Sequence, residues 1–309
     1  MLVLRKPRRD GRELALATAG LLDTFGNPGE ASGLLPHCGN TKCGSGWMKL
    51  WRSRQVPVLE GKWACSQACM WELVHNAVLR EAADQNAQRT IHQHRMPLGL
   101  VMFSRGWITQ LQLRKALAAQ KKAGEGRLGE WLVRQKAASE EDVARALSAQ
   151  WNCPMLGAEA HDPAQMASAF PRIMIDTFAV LPLRLAGRQL LYVAFEDRID
   201  RCLVLAVERM LGLKVEAGVM RESEFAGLRQ QVLRAQFPKI RLLEAANMRG
   251  VVHAFTALIE ERKAVRSQIV RVQDFFWLRI WSRSAQQSQG SLPGVEEVED
   301  MVCTLAMRD

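Results

Sequence analysis

Two sets of side chains in this 309-residue sequence have the types and spacing that chemistry requires. The first is Cys38, Cys43, Cys65 and Cys69, arranged as HCGNTKC, a gap of twenty-one residues, and CSQAC. Two close pairs separated by a loop are how a chain brings four thiolates to the corners of a tetrahedron. The first pair lies in a glycine-rich turn, CGNTKCGSG, that forms a knuckle, and the second opens a helical stretch, SQACMWELVHNAVLREAADQ. Structural Zn2+ in a treble-clef-like or ribbon module is the expectation, with an iron–sulfur cluster as the alternative. Disulfides fit a cytoplasmic chain poorly. Four cysteines leave His37 and His75 as bystanders, and His92 with His94 supplies only two imidazoles, too few for a second site. Cys153, Cys202 and Cys303 stand alone in apolar or helical surroundings, as small core residues do. Trp47, Trp51, Trp63 and Trp71 crowd the module and read as packing around the metal. The alternative is a partner-binding face, for which Lys49, Arg52, Arg54 and Lys62 supply charge.

The second set recurs. PLGLVMFSRGWITQLQLRKALAAQ at 97–120 and RLGEWLVRQKAASEEDVARALSAQ at 127–150 align without gaps at a spacing of thirty residues. They share Leu98/Leu128, Gly99/Gly129, Ala116/Ala146, Leu117/Leu147, Ala119/Ala149 and Gln120/Gln150. Apolar residues recur at helical spacing on both sides of a short break, so each copy reads as a pair of helices. Thr109 with Gln112, and Ser139 with Asp142, mark the start of the second helix in each pair as capping boxes. A glycine just inside a helix start lets backbone N–H groups come close to a ligand, and the helix N-terminus favours anions. Arg127 adds a planar guanidinium suited to a phosphate or to the O6/N7 edge of guanine, and Gln150 adds both a donor and an acceptor. Pro97 stands where the second copy has Arg127 and offers no side-chain donor; Arg95 is the nearest substitute. The plainer reading makes the leucines core residues, the glycines close-packing residues and the glutamines exposed helix ends.

These residues resemble the N-terminal domain of type II secretion and type IV pilus assembly ATPases, called MshEN in the form that binds cyclic di-GMP. The resemblance rests on Arg127-Leu128-Gly129 and Gln150 in the second copy, and on Leu98, Gly99, Gly106 and Gln120 in the first. It continues from His161 through HDPAQMASAFPRIMIDTFAVLPLRLAGRQLLYVAFEDRID and covers roughly 97–235. The chain departs from the family at Pro97, where Arg is usual, and at Lys136, where Gly is usual. The resemblance implies a ligand set of Leu98, Gly99, Gln120, Arg127, Leu128, Gly129 and Gln150. Asp197 joins it because the family has an acidic residue near the nucleotide at that place. It also implies cyclic di-GMP as ligand and a protein partner in a pilus or secretion apparatus.

Composition bounds the rest. With 48% hydrophobic and 24% charged residues the chain is an ordinary globular protein, and no stretch reaches the roughly eighteen apolar residues of a membrane helix. MLVLRKPRRDGRELALATAGLLD is interrupted by Asp10 and Glu13 and reads as a cytoplasmic start, not a signal peptide. The net charge of +10 is scattered along the chain, which fits a solvated basic surface better than a nucleic-acid face. FAVLPLRLAGRQLLYVAFED reads as a hairpin, 199–211 as a helix, LKVEAGVM as a strand and 221–235 as a helix. VVHAFTALIEERKAVRSQIVRVQDFFWLRIWS reads as a helix and two strands, resembling the start of the next ATPase domain. SAQQSQGSLPG then reads as a linker and GVEEVED as an acidic tail. No GxxxxGK[ST] phosphate loop occurs, so ATP chemistry is not expected. The expected class is an α+β multidomain chain. It comprises a partly disordered segment 1–36, a zinc module 37–90, and an MshEN-like domain 91–237 whose tandem repeats precede an α/β half 151–237. A remnant of the next domain with its tail follows at 238–309. The expected function is a non-catalytic, cytoplasmic regulator or adaptor sensing cyclic di-GMP. The alternatives are an interaction scaffold with a decayed nucleotide site and a zinc-finger nucleic-acid binder; membrane insertion is not expected.

Overall fold

The knuckle of the first cysteine pair is followed by a minimal hairpin, β1 (Val58–Leu59) and β2 (Lys62–Trp63), and then by helix α1 (Gln67–Arg89). The computed structural model describes residues 38–44, 57–89, 95–187, 189–282 and 292–306. The expectations for 1–36, His37, Trp47, Lys49, Trp51, Arg52, Arg54, His92 and His94 lie outside the described residues. Among the described residues the fold is mixed α/β with three small sheets, and no helix is long and apolar enough to cross a membrane.

The repeats form four helices: α2 (Leu98–Ser104), α3 (Gln110–Ala123), α4 (Leu128–Arg134) and α5 (Glu140–Trp151). Both capping boxes close. Thr109 Oγ1 accepts from the Gln112 N–H at 3.3 Å while Gln112 Oε1 accepts from the Thr109 N–H at 2.7 Å. Ser139 and Asp142 make the same exchange at 3.1 Å each way. The copies interlock, with α2 against α5 and α4 against α3. Met102 and its counterpart Leu132, and Ala116 and its counterpart Ala146, are all fully buried between them. Small residues are compulsory at the crossing. A Cβ on Gly99 would stand 2.7 Å from Leu113 Cδ1 and 2.9 Å from Leu128 Cδ2, and one on Gly129 would stand 2.7 Å from Val143 Cγ1.

The next segment contains α6 (Pro163–Met166), α7 (Arg172–Phe178), β3 (Val180–Ala186), β4 (Leu190–Phe195), α8 (Arg201–Leu211), β5 (Lys214–Val219) and α9 (Glu222–Arg234). β3 and β4 form the expected antiparallel hairpin, and β5 joins parallel to β4. The chain ends in β6 (Lys239–Ala245), α10 (Met248–Arg262), β7 (Arg266–Val272), β8 (Phe275–Trp281) and β9 (Val298–Leu305), a sheet of order β6-β9-β8-β7.

Strands β7, β8 and β9 of that last sheet are covered on both faces, and their period of two sorts their side chains between two cores. Trp277, Trp281, Val298 and Val302 pack with the β3–β5 half, whereas Phe276, Leu278, Ile280, Met301 and Cys303 pack with α10 and α1. Helix α1, the last sheet and the β3–β5 half are therefore stacked layers, and the described residues from Cys38 onward belong to one compact unit. One reading is corrected: the acidic segment GVEEVED is not a tail, because it runs into β9, which pairs with both β6 and β8. Its charges are partnered there. Glu299 meets Arg241 at 2.9 Å and Arg262 at 2.8 Å, and the buried Asp300 meets Arg279 at 2.8 Å.

Candidate functional site

A cavity of about 380 Å³ opens between the second helical pair and the β3–β5 half. It falls within the size range of small-molecule sites. Leu98, Leu128, Val143, Leu147 and Met220 supply its apolar wall, and Gln120, Arg127, Gln150 and Asp197 its polar groups. Of the eight ligand residues expected from the sequence, seven line it: Leu98, Gln120, Arg127, Leu128, Gly129, Gln150 and Asp197. Gly99 does not, and its place in the helix crossing explains its size instead. The two glutamines also serve a structural purpose that follows from the duplication. Gln120 Nε2 donates to Gly126 O at 2.8 Å, and Gln150 Nε2 to Met96 O at 2.7 Å, so each copy ties down the start of the other.

Arg127 sits at the N-cap of α4 in extended conformation, which aims its side chain across the cavity. Its guanidinium donates to Glu130 Oε1 at 2.7 Å and Glu196 Oε1 at 2.6 Å, and lies 3.5 Å from Asp197 and 3.4 Å from Glu222. Burial disfavours its charge, but the bonds to Glu130 and Glu196 outweigh this and hold it above the ordinary arginine range. The Arg127 hydrogen bond likewise draws Glu130 below the ordinary carboxylate range. Glu222 moves the other way, pushed up by burial despite Arg127 and helped by the neighbouring Glu130, Glu196 and Glu140. Glu130, Glu196, Glu222, Trp151 and Arg198 were not read from the sequence as site residues. Glu130, Trp151, Glu196 and Arg198 directly adjoin Gly129, Gln150 and Asp197 in the sequence, whereas Glu222 comes from α9 and only the fold brings it to the cavity.

In the first copy Pro97 is the N-cap of α2 with φ −55° and ψ 142°, an extended backbone that Arg could also adopt. Arg95 does not fill the missing place in the cavity. Its guanidinium lies 3.4 Å from the ring centroid of Trp151, and it is Trp151 that lines the cavity. Asp200, beside Asp197 in the sequence, caps α8 by accepting from the Leu203 N–H at 2.9 Å.

The cysteines converge as expected. The sulfurs of Cys38, Cys43, Cys65 and Cys69 all lie within 4.8 Å of one another, with Cys43–Cys65 at 3.4 Å and Cys65–Cys69 at 3.6 Å. Zn–S bonds of about 2.3 Å set the edges of a tetrahedron at about 3.8 Å, so the donor set fits Zn2+. Burial pushes the Cys38 thiol up to about 11, and a bound dication is what would hold it as thiolate. The knuckle needs its glycine, since a Cβ on Gly39 would stand 2.6 Å from Lys62 Cβ. His75 stands outside the cluster and stacks on Trp71 with ring centroids 4.9 Å apart.

No protein-family profile and no curated protein matches the chain. Among solved structures it is similar to a structure of MshE with cdg, at 23% identity over 45% of this chain and 99% of that one, with a TM-score of 0.35. It is similar also to two structures of the N-terminal domain of XpsE, at 19% identity each. These cover 46% and 47% of this chain and 98% and 99% of those domains, with TM-scores of 0.34 and 0.27. The likeness spans nearly all of those domains and under half of this chain.

Proposed function

We propose that this protein is a non-catalytic, cytoplasmic regulator or adaptor that binds cyclic di-GMP in the cavity beside Arg127 and relays the bound state to a protein partner of a pilus or secretion apparatus. The observation that supports it is the convergence of Arg127, Leu128, Gly129 and Gln150 with Leu98, Gln120 and Asp197 around one cavity of about 380 Å³. The apolar wall would take the base faces, Arg127 would address a phosphate or a guanine O6/N7 edge, and Asp197 would accept from base N–H groups. Trp151 lines the cavity and reports on it. Titration with cyclic di-GMP should change the tryptophan emission saturably at one ligand site per chain, and Arg127→Ala should abolish the change. An unchanged spectrum at high ligand concentration would favour the second reading, an interaction scaffold whose nucleotide site has decayed. Pro97 and the existing carboxylate partners of Arg127 are the observations on its side.

The four cysteines, on this proposal, hold one structural Zn2+. The compact sulfur spread favours a single ion over a polynuclear iron–sulfur cluster, which spreads its cysteines over two or four irons. Metal analysis of freshly purified, reduced protein should find one zinc per chain; finding iron with acid-labile sulfide, or no metal, would contradict it.

A further inference from the structure

The two helical pairs share one backbone plan but have diverged in charge. Between Pro97 and Ala123 the first copy carries Arg105, Arg114, Lys115, Lys121 and Lys122 and no carboxylate. Each carboxylate of the second copy, Glu130, Glu140, Glu141 and Asp142, has an uncharged counterpart thirty positions earlier: Leu100, Gln110, Leu111 and Gln112. The consequence shows at one pair of positions. In α5 Glu141 holds Arg145 at 2.8 Å, whereas in α3 the same places are taken by Leu111 and Lys115. None of the five first-copy cations forms an ion pair among the described residues. We propose that the outer side of α3, together with the exposed apolar residues of α2, is a docking surface for an anionic phospholipid bilayer.

Leu111, Arg114, Lys115, Ala118 and Lys122 fall at i, i+3, i+4, i+7 and i+11, which sets them along one side of α3. All five are exposed, and Leu111, at 63%, is the most exposed large apolar residue among those described. Lys121 and Lys122, in the last turn, also suit the helix dipole, so Arg114 and Lys115 in mid-helix are the cations that call for another explanation. On α2 Leu100 and Phe103 are exposed as well. Their counterparts Glu130 and Val133 line the cavity together with Ala144, the counterpart of Arg114, so the shared plan of the copies sets Leu100 and Phe103 on the same side as Arg114. Apolar side chains interleaved with cations match the headgroup boundary of a bilayer, where the apolar groups enter and the cations meet lipid phosphate. A nucleic-acid face gains nothing from exposed leucines, because its contacts are polar groups on phosphates and aromatic rings on bases.

Each basic residue close to an anionic surface raises affinity about five-fold. The test is sedimentation of the full chain, without nucleotide, with vesicles of phosphatidylcholine alone or mixed with phosphatidylglycerol, so its result is separate from the reading of the cavity. The chain should bind the mixed vesicles, lose them steeply as salt is added, and ignore the neutral ones. Arg114→Gln combined with Lys115→Gln should weaken binding about ten- to thirty-fold at an unchanged melting temperature. Lys214→Gln combined with Lys239→Gln removes two exposed cations elsewhere and should weaken it less than about three-fold. Leu111→Gln leaves the charge intact, at a place where α5 accommodates Glu141, and should weaken binding about three- to ten-fold. Failure to bind the mixed vesicles, equal losses in the two double variants, or no effect of Leu111→Gln would each overturn the proposal. Tighter binding to duplex DNA than to the mixed vesicles at the same salt would overturn it in favour of a nucleic-acid face.

Discussion

Arg127 carries the chemistry of the cavity because its guanidinium reaches four carboxylates and the open volume at once. Removing a charge-assisted donor forfeits about 1.5–3 kcal/mol, so Arg127→Ala should weaken cyclic di-GMP binding roughly ten- to a hundred-fold or past detection. Gln150→Ala should behave differently. Its amide ties the second copy to Met96 at the start of the first, so the change should cost about 0.5–1.5 kcal/mol of stability in a denaturant melt as well as any binding. A variant that melts like wild type would show that the tie is not formed in solution. At this scale the duplicated residues were legible because the sequence states them twice. Glu222 was not, since nothing in the residues around it marks a cavity that the packing of α9 against the repeats helps to close. Gly99, which the family resemblance places among the ligand residues, has a size that the neighbouring Leu113 and Leu128 side chains also require, as Val143 requires that of Gly129.

The turns within the two helical pairs offer a test at the level of elements. Gly106 has φ 71° and Lys136 φ 55°, so both turns use the left-handed region, and Lys136 bears a strain that Gly106 avoids. Lys136→Gly should stabilise the protein by about 0.5–1 kcal/mol, and Gly106→Lys should destabilise it by about 1–2 kcal/mol, read as opposite shifts in melting temperature. Matching shifts of one sign would mean that the two turns are not equivalent. Periodicity made the repeats, the β3–β4 hairpin, α8, β5, α9 and α10 readable. It failed for β6, whose Leu242 and Leu243 are exposed on an edge strand, and for β9, whose charged opening disguises a strand with partnered carboxylates.

Among the described residues the layers are held by the strands β7, β8 and β9, because their two faces belong to different cores. Two buried charges stitch the layers. Glu81 of α1, only 2% exposed, accepts from Arg209 of α8 at 3.0 Å and from the Arg271 N–H of β7 at 3.2 Å. Arg279 of β8 joins Asp300 and donates to Ser168 O and Ala169 O at 2.8 and 3.0 Å. Asp300→Ala leaves the Arg279 charge buried without its counter-ion and should cost about 3–5 kcal/mol of unfolding free energy. The same layering changes what loss of the metal should do. Cys65→Ser should expose the last sheet as well as the metal module to proteolysis, since α1 packs on α10 and β7. Cleavage confined to the module would show that it unfolds independently.

On the proposal made here, Arg127 and its surrounding cavity hold cyclic di-GMP. Calorimetric titration of wild type, Arg127→Ala and Pro97→Arg with that ligand tests it most directly. Wild type should bind, Arg127→Ala should lose binding, and Pro97→Arg, whose backbone already has the conformation the arginine needs, should bind more tightly. No heat from wild type at high micromolar ligand, together with no rescue by Pro97→Arg, would contradict it.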